Sequence, residues 1–484
     1  YGACYGFNLI YSGNHRETIE CNAHGRVRIL QGMHPDFFQK SLDEGESFAS
    51  PEAVFTFSKE GYGGISRNMH RFVREHIVRG TWKKKERPIL INSWEAMYFD
   101  VKERKLLKLA RQAAEAGIEL FVLDDGWFGA RSNDYAGLGD WVANRERLPQ
   151  GIKGIADRIE EMGMKFGLWF EPEMVNKDSD LYRAHPDWIL HAPQRASCHG
   201  RNQYVLDFSR KEVVDGIFGQ ISAVLDNANI EYVKWDMNRS LMDVFSVMTK
   251  DQGRVMYDYV LGLYDFLDRM VNRYPDLLIE GCSGGGGRFD AGMLYYTPQI
   301  WCSDNSDAID RLRIQYGTSF GYPVSAMGAH VSAVPNHQTG RITPLHTRGV
   351  VAMSGTFGYE LDLLKLTEEE KDEVRSQIRE FRKYAPLIQN GRYYRLTDPF
   401  KSEICAWEIV GNSQEEVLLN VVMEEIHGNM TVNYVQLRGL DESALYKEQT
   451  TGRIYSGAAL MHGGMPLPAE FGEYRAYQYH FVRE

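Results

Sequence analysis

From about residue 88 the chain settles into a regular pattern. Short apolar runs alternate with longer stretches whose apolar residues recur every three or four positions. The runs are PILINSW, LFVLDDGW, KFGLWFEP, VLDFS, YVKWDMN, LLIEGCS, IWCSDNS and PVSAMGAHV. Between them lie helical segments such as VKERKLLKLARQAAEAG, IKGIADRIEEMG and EVVDGIFGQISAVLDNA. Strands covered on both faces read as continuous apolar runs, so eight candidates with intervening helices predict an α/β fold, a (β/α)8 TIM barrel over residues 81–390. A charged helix, LDLLKLTEEEKDEVRSQIREFRKYAPLIQ, carries its cap at Thr367. Residues 391–484 then turn to alternating strands with Gly and Asp turns (RYYRLTD, EICAWEIV, EEVLLNVVM, MTVNYVQLRGL, YRAYQYHFV), which predicts a C-terminal antiparallel β domain. Residues 1–80 show broken alternation, as at a sandwich edge (GFNLIYSGNH, VRILQGMHP, AVFTFSKEGYGG), followed by an amphipathic linking helix, ISRNMHRFVREHIV.

The central runs share one feature: they start apolar and end polar. Their ends carry Trp94, Asp124, Asp125, Glu171, Asp207, Asp236, Cys282 and Asp304. In a (β/α)8 barrel the active site lies at the C-terminal ends of the strands, and acids gathered there are costly unless they act together. An open doubly wound sheet would concentrate polar ends at one switch point instead.

In KWDMNR, Lys234 and Asp236 stand two apart and therefore on one face, where a cation would keep the carboxylate ionised, as a glycosidase nucleophile must be. A structural Lys–Asp pair fits that motif equally well. In IWCSDNSDAIDR, Asp304 is nearest the strand end and best placed to face the barrel axis as a general acid, while Asp307 and Asp310 fit helix caps. Asp124 and Asp125 in LDDGWFG suit vicinal sugar hydroxyls, a divalent metal or an Asx-type turn. In EGCSGGGGRFD, four glycines allow close approach of a ligand to backbone; no G-K-S/T follows, so the segment is not a phosphate loop, and Cys282 reads as a small wall residue. Trp94, Trp127, Trp169 and Trp301 lie near strand ends, where stacking on a sugar and core packing are both open.

The formal net charge of −11 argues against nucleic acid or an anionic membrane as partner. No apolar run is long enough to span a bilayer. The six cysteines are scattered, with no zinc-type spacing, which fits a reducing, cytoplasmic compartment. The chain opens on Tyr1, so it reads as a piece of something longer or a processed product.

KWDMNR, DDGWFG, CSGGGGRFD, SDNSDAIDR and SAMGAHVSAVPNHQT occur in order across the barrel, and on them the chain resembles glycoside hydrolase family 36, the bacterial α-galactosidases. The resemblance implies a retaining, exo-acting hydrolase that releases terminal α-linked galactose from substrates such as melibiose or raffinose, with no metal or organic cofactor. It implies Asp236 as nucleophile and Asp304 as acid/base. It places Asp124 and Asp125 on the 4-hydroxyl region, Lys234 and Asn238 beside the nucleophile, and Cys282, Gly284 and Gly285 against the 2-hydroxyl. Trp94, Trp169 and Arg201 match further pocket positions. Members carry a large N-terminal β-sandwich, of which residues 1–80 match only the tail, and often form homo-tetramers. Relatives in chemistry include α-N-acetylgalactosaminidases and transglycosylating galactosyltransferases. A metal-dependent barrel hydrolase, with His330 and His337 as ligands, and a non-catalytic sugar-binding protein are the readings outside that class.

Overall fold

The computed structural model describes residues 2–484 except His199 and Met430; Tyr1 and the first residue of the predicted MTVNYVQLRGL strand thus lie outside the described residues. The chain begins with two antiparallel ladders. Strand β1 (Cys4–Leu9) pairs with β4 (Ala53–Ser58), and β2 (His15–Cys21) with β3 (Val27–Met33). Helix α1 (Gly61–Phe72) buries Met69 and His70 and runs on as a wider turn over Val73–Ile77.

Eight parallel strands close a barrel: β5 (Leu90–Asn92), β6 (Leu120–Leu123), β7 (Lys165–Phe170), β10 (Tyr232–Trp235), β11 (Leu278–Gly281), β12 (Gln299–Trp301), β13 (Met327–Ser332) and β14 (Thr356–Glu360). The gap in numbering is a small antiparallel hairpin outside the barrel, β8 (Met174–Asn176) with β9 (Gln203–Val205). Strands such as β6, LFVL, are buried at every position because helices cover one face and the barrel interior the other. The helices that follow show the matching one-sided pattern. The helix Glu103–Ala116 buries Leu106, Leu109, Ala110 and Ala113 and stops at Gly117, whose φ of +94° is the left-handed C-terminal turn that glycine adopts without strain. The helix Glu368–Asn390 starts with the predicted cap as a full capping box, Thr367 with Glu370.

One predicted barrel strand is wrong. Of VLDFS only Val205 is in a strand, as the last residue of β9 in the outer hairpin, and the eighth barrel strand is TFGYE, which carries no continuous apolar run. Gly358 in its centre explains the weak signal. A Cβ there would meet His330 of β13 at 2.8 Å and Leu90 of β5 at 2.9 Å, so close packing between two strands has replaced side-chain bulk.

The C-terminal sheet has six strands: β15 (Arg392–Arg395), β16 (Ile404–Val410), β17 (Glu416–Met423), β19 (Leu445–Glu448), β20 (Ile454–Ser456) and β22 (Arg475–Arg483). Among the described residues of MTVNYVQLRGL only β18 (Tyr434–Val435) forms a strand, paired with β21 (Met465–Pro466). Among the described residues no helix is long and apolar enough to cross a membrane, and all six cysteines are unpaired.

Candidate active site

The C-terminal ends of the barrel strands surround a cavity of about 150 Å³. Trp94 and Glu95 enter from β5, Asp124 and Asp125 from β6, Trp169 from β7, and Lys234, Asp236 and Asn238 from β10. Trp301 and Asp304 enter from β12, Glu360 from β14, and Arg201, His337 and Gln338 from loops. A larger open groove of about 690 Å³ adjoins it along the glycine-rich loop and shares Asn238, but the carboxylates converge only in the smaller cavity.

Asp236 is the best-anchored acid of the group. Oδ2 accepts Trp169 Nε1–H at 3.1 Å and Asn238 Nδ2–H at 2.7 Å; Oδ1 accepts the Met237 N–H at 2.8 Å and the Gly284 N–H at 3.4 Å. Four uncharged N–H groups thus fix its orientation, and the side chain is buried. Lys234 was expected to serve as its cation. Its Nζ instead lies 3.0 Å from Asp124 Oδ2, across the intervening strand β7, and both groups are buried. Burial alone would lower the Lys234 ammonium, but the anions around it, Asp124 foremost, hold it well above its usual range.

Asp304 stands at the mouth and reaches solvent. Its Oδ1 accepts Trp301 Nε1–H at 3.1 Å, and Gln338 Nε2 donates to its main-chain oxygen at 2.8 Å. The crowded walls, and then the Asp236 charge, push its carboxyl above the ordinary range, while Lys234 and Arg201 pull the other way. The glycine run explains how the two acids approach. Gly285 has a φ of +84°, and a Cβ on it would stand 2.6 Å from the Asp304 nitrogen. Cys282 is buried beside these groups, and burial followed by the Asp236 charge drives its thiol well above its usual range, so it stays protonated. Cys282, Gly284 and Gly285 form the wall behind Asp236 and Asp304; Gly284 also faces the larger groove.

Asp124 Oδ2 also accepts Asn92 Nδ2–H at 2.6 Å, and its Oδ1 accepts the Asp125 N–H at 2.9 Å. Asp125 is gripped by Arg131, with Nε 3.0 Å from Oδ1 and Nη2 2.8 Å from Oδ2. Burial pushes the Asp125 carboxyl up and the guanidinium opposes it. Arg201 and Asn202 both adopt left-handed backbone, at φ of +52° and +60°. Two successive non-glycine residues in that region mark a loop held in place by its surroundings. Asp307 caps the following helix, accepting from the Ile309 and Asp310 N–H groups. Trp127 is core, fully buried.

Sequence reasoning assigned no role to Glu95, Arg131, Glu171, Gln338 or Glu360. Glu95 follows Trp94 directly and accepts Ser306 Oγ–H at 2.6 Å. Burial, and then Glu360, pushes its carboxyl far up, whereas His330 and Lys234 outweigh burial at Glu360 and hold that carboxyl low. His330 Nδ1 lies 3.1 Å from Glu360 and His337 Nδ1 lies 3.4 Å from Glu95, so each histidine faces a carboxylate of the cavity wall.

Three family models match the chain. Melibiase covers residues 47–391, the glycosyl hydrolase family 36 C-terminal domain covers 404–481 and the N-terminal domain of the same family covers 1–43. The chain is 54% identical over 481 residues to the bifunctional alpha-galactosidase/sucrose kinase AgaSK of Mediterraneibacter gnavus, spanning 99% of this chain and 51% of that protein. It is 50% identical over 469 residues to the alpha-galactosidase AgaA of Geobacillus stearothermophilus, spanning 96% of this chain and 64% of that protein. The chain therefore spans between half and two thirds of the length of these relatives. The galactosidase domain of AgaSK superposes with a TM-score of 0.97 over all of this chain and 66% of that one. A variant of AgaA in complex with raffinose superposes with a TM-score of 0.98 at 48% identity, over all of this chain and 67% of that one.

Proposed function

Because the chain belongs to glycoside hydrolase family 36, we propose that it is the catalytic part of an α-galactosidase that removes terminal galactose by double displacement. One observation carries the reading: two acids in one cavity have opposite environments. Asp236 accepts four N–H bonds and is aimed by them, as a nucleophile must be, while Asp304 is pushed toward its protonated form by the protein atoms crowded around it and by Asp236.

In the first step Asp236 attacks the anomeric carbon of the α-galactoside, and the glycosidic bond breaks as Asp304 gives its proton to the departing oxygen. In the second, Asp304 takes a proton from water, whose oxygen displaces Asp236 from the β-linked intermediate and releases α-galactose. Asp124, Asp125 and Lys234 hold the hydroxyls on one side of the ring. The main chain around Gly284 and Gly285, with Cys282, borders the 2-position, where glycine in place of side chains suits a free hydroxyl. Trp94, Trp169 and Arg201 complete the pocket. The cavity is small beside the open groove next to it, which supports capture of one terminal sugar with the remainder outside. The raffinose named with the AgaA variant supports galacto-oligosaccharides as the substrate class. The chemistry needs only side chains, and six unpaired cysteines favour a reducing, cytoplasmic setting.

The test is hydrolysis of a nitrophenyl α-galactoside followed by NMR of the first anomer released. α-Galactose is expected; β-galactose as first product overturns double displacement. Asp236→Ala should be inactive and should regain turnover with azide as β-galactosyl azide. A fully active Asp236→Ala variant would refute the nucleophile.

A further inference from the structure

Glu171 lies one residue past the end of β7, fully buried, and does not line the cavity. Its Oε1 accepts two bonds, from the Asn238 main-chain N–H at 2.5 Å and from Gln203 Nε2 at 2.6 Å. Asn238 has left the parallel ladder of β10, so Glu171 supplies the acceptor that its N–H would otherwise lack. The side chain of Asn238 in turn donates to Asp236 Oδ2 at 2.7 Å. Trp169, two residues before Glu171 on the same strand face, donates to that same oxygen at 3.1 Å. The end of β7 therefore holds the Asp236 carboxylate twice, directly through Trp169 and indirectly through Glu171 and Asn238.

Glu171 Oε2 has no hydrogen-bond partner among the described residues. A second ionised carboxylate buried beside Asp236 with one oxygen unpartnered would be costly, and its carboxyl is held far above the usual range, by burial first and then by Asp236. Held as the neutral acid, it fixes Asn238 and leaves the negative charge of this corner on Asp236 alone.

We propose that Glu171 is a positioning residue for the nucleophile, setting the direction of Asp236 Oδ2 through Asn238. The inference rests on the reading of Asp236 as nucleophile. It is tested by steady-state kinetics on a nitrophenyl α-galactoside with Glu171→Gln, Glu171→Asp, Glu171→Ala, Asn238→Ala and the double variant Glu171→Ala/Asn238→Ala, thermal unfolding being followed alongside. Glu171→Ala should lower kcat about a hundredfold, the scale of a misplaced reacting group, with KM changed by less than about threefold because the side chain touches no sugar. Glu171→Gln keeps a carbonyl acceptor for the Asn238 N–H and should stay within about threefold of the parent kcat. The double variant should be no more than about twofold slower than Asn238→Ala, because the two residues act in series.

A folded Glu171→Ala with the parent kcat overturns the proposal, as do losses that multiply in the double variant. Should Glu171→Ala fail to fold, Glu171→Asp, which withdraws the acceptor by one methylene, decides the matter. It should be slow where Glu171→Gln is fast, and equal rates overturn the proposal. Failure of the underlying reading is seen separately, as an active Asp236→Ala variant, whatever the Glu171 variants do.

Discussion

The buried pair Lys234–Asp124 ties the stability of the barrel to the acidity of its mouth, and Lys234→Met separates the two. Six carboxyl groups line the cavity (Glu95, Asp124, Asp125, Asp236, Asp304 and Glu360), against the two permanent cations Arg201 and Lys234. At 3.0 Å the Lys234–Asp124 attraction is about 5.5 kcal/mol for an effective dielectric constant of about 20. Methionine fills much the same volume but leaves Asp124 buried with only neutral donors, Asn92 Nδ2 and the Asp125 N–H. Part of the gross attraction is offset because the ammonium is no longer desolvated, so the net cost should be about 3–5 kcal/mol, the range for removing one partner of a buried pair. Urea unfolding at pH 7 measures it, and Lys234→Met/Asp124→Asn should recover most of the loss while remaining a poor enzyme. The second readout is the pH dependence of kcat/KM. Lys234 lowers the Asp304 carboxyl, so its removal must raise it further. The acid form then survives to higher pH, and the alkaline limb of the residual activity should move up. A variant within about 1 kcal/mol of the parent, or an alkaline limb that moves down, would refute the reasoning.

Two further outcomes follow from the same structure. Asp304→Ala should lose kcat/KM on melibiose by about a hundredfold to ten-thousandfold but far less on a nitrophenyl galactoside, whose leaving group departs without a proton; equal losses on both substrates would remove Asp304 from the acid role. Glu408 on β16 is fully buried, accepts the Arg438 N–H at 2.6 Å, and is pushed by burial well above its usual range of about 4.5. The folded state therefore binds a proton that the unfolded state releases, and stability is lost as pH rises above about 4.5. Glu408→Gln should therefore stabilise the C-terminal sheet clearly at pH 7 and by almost nothing near pH 4; a gain equal at both pH values would contradict this origin.

What the sequence revealed and what it hid follow from how far each signal reaches along the chain. Barrel strands announce themselves because burial on both faces writes apolar residues consecutively, and their polar ends then point to the mouth. Asp124, Asp236 and Asp304 could be singled out in this way, because each directly follows, or comes within three residues of, the apolar run that positions it. Strand β14 broke that rule: Gly358 meets β5 and β13 by having no side chain, so the strand lost its apolar signature and Glu360 at its end was lost with it. Partnership was less legible than position. The period of two along β10 put Lys234 beside Asp236, which is correct within the strand, but the ammonium found a closer anion on β6, two strands away, and only closure of the barrel creates that contact. Arg131 sits in a loop six residues beyond Asp125 with no local pattern to betray it, and Glu171 stood out as an acid at a strand end but not as a partner of the carboxylate one strand away that it steadies. The reacting groups are written into strand ends, whereas the charges and hydrogen bonds that tune them come from whichever neighbour the closed barrel supplies. The role of a residue such as Glu171 therefore becomes visible only when each hydrogen bond of the nucleophile is followed one step outward.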